Sequence, residues 1–175
     1  IFGYRHTSAT MHFLTPDMVD KYRLYTKKWW SAGTNHTFDL LDNAPDGTSY
    51  SEQHTNQPCL TDEKVYEVIR DNVFKYLEES PEAELISVSQ NDNKYYCTCE
   101  NCTKVVEEEG SQAGPIIRFV NRIAEEVEAA GYDVLVHTFA YTYSCEAPKI
   151  TKPRHNVMIQ YCTLEACISH SLNAG

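Results

Sequence analysis

The chain has 175 residues, 42% hydrophobic and 23% charged, which suits one globular domain with a real core. Its 25 acidic against 15 basic residues give a formal net charge of -10, so nucleic acid, which asks for a basic face, is not an expected partner. No apolar run approaches the ~18 residues that span a bilayer, and the opening IFGYRHTSATMHF lacks the charged and apolar regions of a signal peptide.

Neutral ligands, sugars among them, fit an acidic chain with 12 Tyr and 2 Trp. The chain starts without Met and reads as a section of something longer. Seven cysteines is an odd number, which does not fit a fully paired secreted framework and leaves the compartment open.

Thr15-Pro16-Asp17 predicts a helix start, with a cap, a proline at the first helical position and an acid at the positive end of the dipole. That helix is expected to run to about Lys28. Trp29 to Phe38 then reads as an extended segment ending near His36. Leu40 to Gln57, rich in Asp, Asn, Gly, Ser and Pro, is a predicted surface loop, and Pro58-Cys59-Leu60 a very short strand. Thr61-Asp62-Glu63 caps a second helix whose Val65, Val68, Ile69, Val73, Tyr76 and Leu77 recur at helical spacing. Pro81 closes it.

A buried strand follows at Leu85, Ile86 and Val88, ending in the polar quartet Gln90-Asn91-Asp92-Asn93. A third helix is predicted from a cap near Ser111. Ile116, Phe119, Val120, Ile123 and Val127 form its apolar stripe, and Gly131 suits a left-handed C′ position. Asp133 to Tyr143 and Asn156 to Cys162 are the next strands, the latter leading to Glu165. Near-continuous apolar strands alternating with helices predict an α/β fold with a parallel sheet and right-handed crossovers. The pieces make about half of a TIM-like (β/α)8 barrel. The whole of 1–175 reads as one α/β domain, a truncated portion of such a barrel, with a smaller open sheet as the alternative.

In parallel α/β folds ligands bind at the carboxyl ends of strands. Asp92 and Glu165 both lie just past predicted strand ends, and a carboxylate pair several ångströms apart is what glycoside hydrolysis needs. The plainer alternative is a turn cap at Asp92 and a solvated Glu165. Alternation places His137, Phe139, Tyr141 and Tyr143 on one side of their strand, where Tyr141 and Tyr143 could stack on sugar faces or complete an aromatic core edge. His36, in TNHTF, is a further polar residue at a strand end. Cys97, Cys99 and Cys102 are within reach of one metal ion. Cys59, Cys162, Cys167 or His170 could supply a fourth ligand to structural zinc, and reduced thiols or a disulfide are the other readings.

The stretches SVSQNDNKYYCTCENC, EEEGSQAGPIIRFVNRIAEEVE, DVLVHTFAYTY, KITKPRHNVMIQYC and LEACISHSL, with NHTF and QPCLTDEKV upstream, resemble a bacterial family long filed as a domain of unknown function. That family is now associated with endo-β-N-acetylglucosaminidases acting on complex N-glycans. The resemblance covers nearly all of residues 29 to 172. It implies a TIM-barrel-like catalytic domain in a larger exported protein, and retaining, substrate-assisted hydrolysis of a GlcNAc-containing glycan without a catalytic cofactor. The resemblance implies Asp92 and Glu165 as catalytic residues, with His36, Asn91, Tyr141 and Tyr143 as substrate-binding residues of the sugar site. The rival readings are a non-catalytic carbohydrate-binding protein on the same scaffold and a zinc-stabilised interaction module.

Overall fold

A computed structural model describes residues 37–50 and 56–163. The described chain forms α1 (Phe38–Leu41), α2 (Glu63–Glu79), β1 (Leu85–Ser87), α3 (Glu100–Glu109), α4 (Ala113–Ala129), β2 (Leu135–Ala140), a 3-10 turn at Thr142–Ser144 and β3 (Val157–Tyr161). The strands lie in the order β1-β2-β3, and both pairings are parallel. Leu85 opposes Leu135, and His137 opposes Met158. The α/β class and the parallel sheet are as the sequence predicts.

Helix α2 begins where its residues ask it to. Asp62 is the N-cap, and its carboxylate accepts from the Lys64 and Val65 backbone N–H groups, two of the donors a helix start leaves unpaired. Val65, Ile69, Val73 and Leu77 are buried along one face. Helix α4 buries Ile116, Phe119, Val120, Ile123 and Val127. These two stripes join Ile86, Val88 and Val136 of the sheet in one core. Phe119 sits at its centre, edge-on to Tyr66 at 5.4 Å and to Phe38 at 6.0 Å between ring centroids. Each such fully buried apolar side chain contributes about 1.5–3 kcal/mol. Gly131, just after the α4 cap, has φ 86, the left-handed conformation predicted for it.

Three expectations are corrected. Between β1 and β2 the sequence reading has one helix, whereas the chain forms two. Helix α3 buries only Cys102 and Glu109, so it has no apolar stripe to announce it. Pro58-Cys59-Leu60 is not a strand. The Cys59 carbonyl accepts from the Asp62 N–H, which makes this segment the lead-in to α2. Phe38, expected at the end of an extended segment, instead opens the short turn α1, whose Leu41 and Asp42 N–H groups return to Thr37 and Phe38. The helix predicted at 15–28 lies outside the described residues, as does most of the segment before Phe38.

The 16 residues between β2 and β3 contain no α-helix. They form an extended strap held down by the helices. Glu109 ends α3 fully enclosed, and its carboxylate accepts from the Ile150 and Thr151 N–H groups at 3.0 and 2.9 Å and from the Thr151 hydroxyl. Arg118 of α4 completes this network at 2.7 Å. Asn121 takes the Arg154 N–H and gives to the Lys152 carbonyl, and Asn156 donates to the Ala124 carbonyl.

Candidate functional site

Because all three strands are parallel, their carboxyl ends share one edge of the sheet. The segment after β1 carries Gln90, Asn91 and Asp92 to that edge, and β2 delivers Tyr141. The Tyr141 hydroxyl donates to Asp92 Oδ1 at 2.7 Å, bridging two neighbouring strand ends. Asp92 is exposed at the rim, whereas Gln90 and Asn91 are wholly buried beneath it. The polar quartet therefore divides into one group that faces outward and two that hold the loop.

The holding groups pair with residues that the sequence reading passes over. Gln57 Oε1 accepts from the Asn91 N–H and Gln57 Nε2 donates to the Asn91 carbonyl, both at 2.9 Å, as a neighbouring strand would. Gln57 Nε2 also reaches the Asn93 carbonyl, and the Gln57 N–H donates to the Tyr95 carbonyl. Asn91 Nδ2 donates to the Asn56 carbonyl at 2.8 Å. Gln90 accepts from the Ser144 hydroxyl and donates to the Tyr141 carbonyl. A buried backbone donor left unpaired costs about 1–3 kcal/mol, so these pairings fix the loop under Asp92. The only local signal for Gln57 is its position before Pro58-Cys59.

His137, Phe139 and Tyr141 share one side of β2, as alternation predicts, with neighbouring rings 5.1 and 6.2 Å apart. Tyr143 departs from that row. The strand ends at Ala140, and Thr142 has φ 50, a left-handed conformation that a β-branched residue adopts only under constraint. The chain turns there, and Tyr143 packs against Tyr96 at 5.1 Å, lining a cleft with Gln57, Cys97 and Cys102. Burial pushes the Tyr143 phenol well above its ordinary range. Thr142→Asn, which tolerates left-handed backbone, is expected to stabilise the fold by about 0.5–1 kcal/mol, read as a raised Tm.

His137 is completely buried, and burial lowers its pKa to about 3, so the ring is neutral. Its Nε2 lies 3.2 Å from Gln160 Oε1 and donates to it, which leaves Nδ1 to accept from the Ser87 hydroxyl at 3.0 Å. Ser87 in turn meets Ser89 at 2.7 Å. This polar chain crosses the three described strands.

Cys59 joins Cys97, Cys99 and Cys102, and the four sulfurs lie within 4.8 Å of one another. Among the fourth ligands that the sequence leaves open, Cys59 is the one present here. Cys162 instead donates to the Gln160 carbonyl, while Cys167 and His170 lie outside the described residues. Cys99 is the N-cap of α3, and its sulfur accepts from the Cys102 N–H at 3.5 Å. That backbone donor lowers the Cys99 thiol to about 6, against the opposing effect of desolvation. Burial pushes the Cys102 thiol up to about 11 and raises Cys97 as well.

His36 and Glu165 lie outside the described residues. The structure therefore brings together Asp92, Asn91, Tyr141, Tyr143 and the cysteines. No helix among the described residues is long and apolar enough to cross a membrane. Neither a curated protein nor a solved structure matches the chain significantly. Residues 22–175 match the family described as a domain of unknown function, DUF4838, and the chain belongs to that family.

Proposed function

We propose that this domain is a section of a (β/α)8 barrel from a glycoside hydrolase that acts on GlcNAc-containing glycans, as an endo-β-N-acetylglucosaminidase. The observation that carries the reading is the Tyr141–Asp92 hydrogen bond at the shared carboxyl edge of the parallel strands. It holds an exposed carboxylate in one orientation beside an aromatic wall. The polar row of buried Ser87 and His137 and half-buried Gln160 supports the barrel reading, since the helix-covered face of the sheet is apolar and this row lies apart from it.

In the proposed reaction the substrate's own acetamide oxygen attacks the anomeric carbon as the glycosidic bond breaks. Asp92 accepts the acetamide N–H and balances the positive charge of the oxazolinium ion that forms. Glu165, carried over from the sequence resemblance, gives a proton to the leaving oxygen and then takes one from the water that opens the ring. The outcome is retention. This chemistry calls for no metal, and the role proposed for the cysteine cluster is structural. Asn91 serves by holding the loop, and Tyr141 by orienting Asp92.

The test is incubation of the protein, at its full natural length, with a complex-type N-glycopeptide, followed by mass spectrometry. Release of glycan cut within the chitobiose core is the expected result. Glycan binding without cleavage would replace the enzyme by a carbohydrate-binding protein.

A further inference from the structure

We propose that Cys59, Cys97, Cys99 and Cys102 bind one zinc ion in a closed four-thiolate site that staples residues 57–61 to the loop bearing Asp92. Two of the sulfur–sulfur separations match the edge of a coordination tetrahedron, and all four sulfurs lie within 4.8 Å of one another. Zinc–sulfur bonds of about 2.3 Å place the sulfurs of a tetrahedral site about 3.8 Å apart. Cys59 Sγ lies 3.7 Å from Cys99 Sγ and 3.8 Å from Cys102 Sγ. A disulfide would need about 2.05 Å, and the four cysteines are free.

The ligands come from two segments that converge. Cys97 precedes α3, Cys99 caps it and Cys102 lies in its first turn, while Cys59 arrives from a segment 40 residues before Cys99. Two donors face the sulfurs: the Cys102 N–H on Cys99 Sγ, and the Thr61 hydroxyl, 3.3 Å from Cys102 Sγ and 3.5 Å from Cys59 Sγ. Such outer donors orient thiolates and temper their charge. Four thiolates select a soft ion and leave no open position, so the site is structural and not hydrolytic.

The staple acts where the loop is held by hydrogen bonds and by the Tyr96–Tyr143 ring contact. Gln57 is two residues from Cys59, and it is Gln57 that pairs with the backbone on either side of Asp92. None of this depends on the glycosidase reading, and either proposal survives the loss of the other.

Metal analysis of protein purified under reducing conditions, without chelator and through gel filtration, should give one zinc per chain. X-ray absorption should show four sulfurs at about 2.3 Å. Chelation should lower the Tm, and added zinc should restore it. Cobalt in place of zinc should give thiolate-to-metal charge-transfer bands. Cys59→Ser is expected to weaken zinc binding by roughly a hundredfold or more, since an open coordination position replaces a thiolate. Should that variant misfold, Cys59→His keeps four ligands and should shift the cobalt spectrum, while Cys145→Ser should alter nothing. Folded protein with only trace metal and an unchanged Tm after chelation would overturn the proposal. So would a disulfide within the set, mapped after alkylation at lysis.

Discussion

Asp92→Asn is expected to reduce glycan hydrolysis by roughly 10²–10⁴-fold while leaving the fold intact. The substitution keeps the shape of the side chain and an oxygen for the Tyr141 hydroxyl, which now meets Asp92 Oδ1 at 2.7 Å. It removes the negative charge that would accept the acetamide N–H and balance the oxazolinium ion. Glycan affinity should change far less than turnover, because the charge matters most once positive charge has developed. Tyr141→Phe should cost about tenfold, the scale of one hydrogen bond to a charged group. The measurements are kcat and KM on an N-glycopeptide, with circular dichroism to confirm folding. Near-normal kcat in Asp92→Asn would remove Asp92 from the chemistry.

The second large effect concerns stability. Glu109→Gln is expected to lower the Tm by on the order of 10 °C, because it removes the enclosed charge opposite Arg118 and turns an amide NH2 either onto Arg118 and the Thr151 hydroxyl or onto the Ile150 and Thr151 N–H groups. Desolvation works against the charged form of Glu109. Hydrogen bonds from Thr151, Arg118 and Ile150 overcome it and hold the pKa below the ordinary carboxylate range, at about 2. A carboxyl whose folded pKa is depressed stabilises the fold above its unfolded pKa and loses that contribution as the pH falls. Acid unfolding should therefore draw on Glu109 between about pH 4.5 and 2. In Glu109→Gln, the stability curve should be flatter across that interval. An identical acid limb in the variant would show that other carboxylates govern acid unfolding.

What the sequence made legible were the elements that carry their own signals. Asp62 is a cap followed by an apolar stripe, and the β1, β2 and β3 runs are apolar enough to read as parallel strands. Helix α3 escapes because ENCTKVVEEE buries one cysteine and one glutamate and lacks any period. Its brackets, the Cys99 cap and Gly110 at φ 65, were the available signals. The rim behaves similarly. Asp92 and Tyr141 follow from strand ends, but their contact joins residues 49 apart, which no local pattern encodes. A period of two puts Tyr143 beside Tyr141, and that period stops where Thr142 turns the backbone. The Cys59 ligand and the Gln57 clamp are likewise products of long-range folding, visible only once α2 and the loop after β1 are side by side.

The strap between β2 and β3 has a kinetic consequence. Connections without regular structure ordinarily open on their own and exchange their amide hydrogens quickly. Here the Ile150 and Thr151 amides end on an enclosed carboxylate of α3, and the Arg154 amide ends on Asn121 of α4. Freeing them requires parting the strap from both helices, so the segment joins the helical layer as one cooperative unit of opening. Tyr141 lies at the start of that strap, so the order of the rim is coupled to the opening of this unit.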